Sequence, residues 1–69
     1  SEMVVHLKAA VEQLSEVDRE ILYRLYFLSQ TYDEVGLHFE HTKSWVSRAH
    51  SRIVAQIQKI FRQAGIIES

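Results

Sequence analysis

The feature that most limits what this chain can fold into is the segment from Lys43 to Gly65. At 100° per residue, Val46, Ala49, His50, Ile53, Ile57, Ile60, Phe61 and Ala64 fall in one sector. Ser44, Ser47, Arg48, Ser51, Arg52, Ala55, Lys59 and Arg62 fall on the opposite side. Such a segment is a long amphipathic helix that buries one side and presents hydrogen-bond donors on the other. Thr42 reads as its N-cap, and Gly65 as the left-handed residue that stops it. Small serines let the helix backbone approach a surface closely while arginines reach past them, a combination suited to a groove.

Charge follows the same division. Residues 1–42 carry Lys8, Arg19 and Arg24 against eight acids, whereas residues 43–62 carry Lys43, Arg48, Arg52, Lys59 and Arg62 with no acid. The net charge of −1 therefore hides a basic segment on an acidic domain, the pattern of a localised polyanion contact.

Upstream, Val4, Leu7, Val11 and Leu14 mark the buried face of a first helix over about 3–14. Ser15 caps a second, 16–28, with Asp18 as a capping-box partner and Val17, Ile21, Leu22, Leu25 and Leu28 inward. Tyr23, Tyr26, Phe27 and Tyr32 are assigned to the core by default. Thr31 to Glu34 is a full capping box opening a short helix, 32–39, with Val35 and Phe39 buried. Gly36 inside so short a helix implies close approach of the next one. The connection Glu40-His41-Thr42 then leads into the helix at 43–64. The expected fold class is all-α: a small four-helix helix-turn-helix domain with a long C-terminal recognition helix, expected to form one domain over 1–69 and to be the C-terminal part of a longer protein.

Several chemistries find no support. No cysteine is present, so neither disulfides nor a thiolate metal site can form. No apolar run approaches a membrane span, and no membrane partner is expected. His38, His41 and Glu34 could be drawn as a metal cluster but lack a metal-binding spacing, so no metal or cofactor is expected. No triad or paired-carboxylate pocket is arguable, and the chain is not expected to be an enzyme.

From Thr31 to Arg52 the sequence resembles region 4 of bacterial RNA polymerase sigma factors. Thr31, Glu34, Val35, Gly36, Phe39, Thr42, Ser44, Val46, Ser47, His50, Ser51 and Arg52 carry the resemblance. The run Val46 to Arg52 is nearest to the flagellar and sporulation-type group. Leu14 to Leu22 and Leu25-Tyr26-Phe27 are similar to the family's upstream segments, so the resemblance spans about residues 7 to 61. The chain departs from the pattern at Ser15, Leu28-Ser29-Gln30, Glu40, His41 and Trp45.

The resemblance implies sequence-specific binding of the −35 promoter element in transcription initiation, in the bacterial cytoplasm. Lys43, Ser44, Ser47 and Arg48 would then read bases in the major groove. Thr31, Thr42, Ser51 and Arg52 would hold the DNA backbone. Trp45 would touch DNA or cover the core edge, and Lys59, about 16 Å beyond Arg48, would lie outside that groove segment. Implied partners are double-stranded promoter DNA, the β flap of RNA polymerase core and an anti-sigma factor. Two alternatives stay open: a LuxR-type response-regulator output domain, and a helix-turn-helix interaction module without DNA binding.

Overall fold

The computed structural model describes residues 2–67. Among them are four α-helices and no strand: α1 (Glu2–Glu12), α2 (Glu16–Leu22), α3 (Tyr32–Phe39) and α4 (Lys43–Gln63), with a π-helical turn, Tyr23–Phe27, continuing α2. The all-α class is as expected. At 21 residues α4 is about 31 Å long.

The core is small. Leu14, Ile21, Val35, Val46, Ala49 and Ile53 are buried together, with Leu22, Leu25, Tyr32, Phe39, Trp45 and Ile57 partly buried against them. The helices α2, α3 and α4 meet here, and α1 lies against α4 with Ala10 fully enclosed.

Local chemistry sets the boundaries. The Thr31 hydroxyl accepts from the Glu34 amide, and the Glu34 carboxylate accepts from the Thr31 amide at 2.8 Å, completing the expected capping box. The Thr42 hydroxyl accepts from the Trp45 amide and starts α4. At the far end Gly65 adopts φ +77°, the Gly65 amide donates to Arg62 and the Ile66 amide to Phe61, a Schellman closure. Ser15 caps α2 by accepting from the Asp18 amide, but only half of that box forms, because the Asp18 carboxylate is engaged elsewhere.

Three burial expectations need correction. In α1, Val4 and Leu7 are exposed and Val11 is half-buried, so the inward face shrinks to Ala10 and Leu14. Its outer turns extend past the edge of the small core. The second helix is not one α-helix over 16–28. At Tyr23 the ladder widens, and the Leu28 amide donates to the Tyr23 carbonyl five residues back. A π turn takes up more residues per revolution, so positions after it rotate off the stripe that an even α-helix would give. Leu28 is accordingly exposed, and Tyr23, Tyr26 and Phe27, assigned to the core by default, are exposed as well, the last at 74%. Val17, in the first turn of α2, is also exposed.

Gly36 has the packing role that its helical position implied, with one difference. A Cβ there would meet the His41 carbonyl oxygen at 2.7 Å and Thr42 backbone atoms at 3.2 and 3.3 Å. The close approach is by the connection itself, before α4 begins. That connection turns through Glu40, a non-glycine residue at φ 60°, ψ 40°. The left-handed region costs an L-residue about 1–2 kcal/mol. Glycine relieves it but adds unfolded-state freedom. Glu40→Gly is expected to raise stability by about 0.5–1 kcal/mol on these two principles, whereas Glu40→Ala, which keeps the strain, should gain nothing. Paired thermal melts check the contrast, and equal midpoints for the two variants would refute it.

Candidate nucleic-acid interface

Building from Thr42, the first turns of α4 place Lys43, Ser44 and Arg48 exposed and Ser47 half-buried, with Ser51 exposed one turn on. The turn Glu40-His41-Thr42 precedes them, and α3 packs against α4 to form the two-helix unit. The four residues expected to read bases thus share one end of one helix face. Its side-chain chemistry is cationic or hydroxylic throughout.

The two N-cap threonines are exposed. Each hydroxyl oxygen already accepts a backbone amide, which leaves its O–H free to donate outward. Both hold the chemistry of a phosphate contact. Trp45 is half-buried against the core, its indole stacked on the His41 ring at 4.0 Å and 8° and tilted against Phe39. This packing supports the core-edge role expected for Trp45 and does not bear on a DNA contact.

Arg52, expected to hold the DNA backbone, also has a partner within the fold. Its Nη1 and Nη2 donate to the two Asp18 carboxylate oxygens at 2.7 and 2.9 Å, a bidentate pair joining α2 to α4. Among the described residues Asp18 is the single charged one that is buried. The Arg52 hydrogen bond, and then its charge, hold the Asp18 carboxyl below its usual range against the opposing effect of burial. Its charge is matched by Asp18, while its remaining N–H donors stay available on an exposed side chain.

Sequence reasoning also missed a hydrogen-bonded triplet. The Tyr26 hydroxyl lies 2.7 Å from His50 Nε2, and the Tyr32 hydroxyl 2.6 Å from His50 Nδ1. His50 lies in the apolar sector of α4, and both its ring nitrogens are partnered. The signal in the sequence was a polar residue within the apolar sector of α4.

The residues drawn as a possible metal cluster go separate ways: Glu34 to its capping box, His41 to Trp45 and His38 edge-on to Phe39. Among the described residues no three histidine, cysteine or acidic side chains converge on a cation position, and no helix is long and apolar enough to cross a membrane.

A second surface lies away from the basic face. Leu7 and Val11 of α1, Leu22, Tyr23, Tyr26 and Phe27 around the π turn, and Val54 and Ile57 of α4 line an open apolar groove of about 490 Å³, with Arg19 its charged residue. Tyr23 and Phe27 stack at 5.0 Å along it.

Comparison with protein-family models, curated proteins and solved structures returns no match. The functional reading therefore rests on the residues and their geometry.

Proposed function

We propose that this domain binds promoter DNA at the −35 element, as region 4 of a bacterial sigma factor does, with α4 in the major groove. The observation that carries the proposal is the acid-free exposed face of α4, opening with Lys43, Ser44, Ser47 and Arg48 immediately after a capped, glycine-dependent turn. A helix of this kind matches the groove in width, and its donors match the acceptors of guanine and the phosphates. The resemblance supplies the promoter element and the bacterial cytoplasm.

The test is a titration with −35 duplexes at two salt concentrations. Affinity should fall steeply with salt, with a logarithmic slope of about −0.9 per neutralised phosphate. A salt-independent affinity, or none, would remove the groove reading and leave an interaction module of the same fold.

Arg48 is the side chain on which base choice turns. It is exposed on the first turns of α4, with Ser44 one turn before and Ser51 one turn after, so neighbouring bulk does not block it. A bidentate arginine–guanine contact discriminates by about 1–3 kcal/mol. Arg48→Ala should relax preference at one base pair with the thermal midpoint nearly unchanged, and Arg48→Gln should move that preference toward adenine. Equal loss on every duplex would make Arg48 a phosphate contact.

The apolar groove supports the second partner that the resemblance implies, a helix of the polymerase β flap, and an anti-sigma factor would compete for such a surface. Pull-down of the flap by the wild-type chain is expected, with loss of capture in Phe27→Ser. Capture that persists in this variant would move the docking site elsewhere.

A further inference from the structure

The Tyr26–His50–Tyr32 triplet joins three elements through one imidazole. Tyr26 belongs to the π turn and lines the apolar groove, His50 lies on α4, and Tyr32 is the first residue of α3. Both phenols meet the ring edge-on, with centroids at 5.6 and 5.8 Å. A neutral imidazole has one N–H and one acceptor, so one tyrosine must donate to the ring and the other must accept from it. The accepting tyrosine then has to place its own hydroxyl proton on something else.

Burial decides which one accepts. Tyr32 is packed against the core, and its hydroxyl has no other partner among the described residues. Tyr26 is 66% exposed, and water can accept a hydrogen bond from its hydroxyl. We infer that His50 is a directional relay: Tyr32 donates to Nδ1, Nε2–H donates to Tyr26, and Tyr26 holds the one free hydroxyl proton at the groove. Engagement of that hydroxyl and the seating of α3 on α4 then form one coupled equilibrium. Hydrogen bonds in a chain polarise one another, so removing either end weakens the other. In its consequence for DNA the inference rests on the proposed function; the relay itself does not.

The ring state is read from long-range ¹H–¹⁵N correlations of the histidine-labelled chain at pH 8, above the ordinary imidazole range. Wild type should show the Nε2–H form. Tyr26→Phe should keep it, and Tyr32→Phe should release it to a mixture. An Nδ1–H form or a mixture in wild type overturns the direction. The coupling is read from urea midpoints of the two phenylalanine variants and their double. The double should lose less than the sum of the singles, and strict additivity overturns the relay.

Should Tyr32→Phe not fold, Tyr26→Phe carries the test alone, since its ring is exposed. It should weaken −35 duplex binding by about fivefold, the low end of coupling between distinct sites, although Tyr26 lies outside the base-reading turns. Unchanged affinity overturns the coupling. A wild-type chain that binds no duplex overturns the DNA proposal and leaves the tautomer and urea results to decide the relay.

Discussion

Gly36→Ala is expected to be among the most damaging single-methyl changes in this domain. Alanine is the better helix former by about 1 kcal/mol, and at an exposed site in α3 it would stabilise. Here the new Cβ falls 2.7 Å from the His41 carbonyl oxygen and within 3.3 Å of Thr42 backbone atoms, none of which can rotate away. The His41 amide also donates to the Gly36 carbonyl at 2.8 Å, so separating the two segments to admit a methyl breaks that bond. Overpacking costs about 1–3 kcal/mol and the hydrogen bond about 1. Set against the propensity gain, the net loss is about 2 kcal/mol, a fall of roughly 10 °C in a domain of this size. Circular dichroism melts measure it. A midpoint at or above that of wild type would show that the turn moves freely.

Arg52→Ala should produce a loss of similar size by a different route, and pH distinguishes the two. The substitution leaves the buried Asp18 carboxylate without its bidentate partner. Truncating one member of a fully buried pair costs about 3–5 kcal/mol. The Arg52 side chain is 57% exposed and water can reach the carboxylate, which lowers the expectation to about 2 kcal/mol. Pairing lowers the Asp18 pKa in the folded state. The stabilisation is therefore fully present above the unfolded carboxyl range and is lost as pH falls through the folded value. Wild type and Arg52→Ala should differ most near neutral pH and converge in acid, whereas the Gly36→Ala deficit should persist. A pH-independent Arg52→Ala deficit would mean that lost packing of its aliphatic stem dominates. Asp18→Leu combined with Arg52→Met should recover much of the stability, because an apolar pair needs no charge partner.

What the sequence discloses and what it conceals divide along physical lines. The capping box at Thr31, the cap at Thr42 and the glycine stop at Gly65 depend on residues at most five positions apart, and each forms as expected. The long apolar stripe of α4 locates Val46, Ala49 and Ile53 in the core for the same reason. The π turn is invisible to a 3.6-residue period, and a register read through it assigns Leu28 inward where it lies outward. The Asp18–Arg52 pair spans 34 positions. Its trace was an aspartate one turn before Ile21 and Leu22 on an inward stripe, a place where a carboxylate requires a cation. On the candidate interface, sequence picks out the exposed cluster Lys43, Ser44 and Arg48. It cannot reveal that the neighbouring Arg52 has its charge already matched, because that depends on how α2 crosses α4.

The left-handed geometry at Glu40 has a counterpart at Ser29, with φ 54°, so α3 is bracketed by two non-glycine residues in the conformation that glycine or asparagine adopts most readily. Neither belongs to the first turns of α4, where base reading is proposed. A small domain has little stability to lose, and changes to a recognition surface usually consume some of it. These two junctions are therefore where adaptability is stored: relaxing them would offset the cost of varying Lys43, Ser44, Ser47 and Arg48 together, so that a lineage or a library could explore this face without first unfolding the scaffold that presents it.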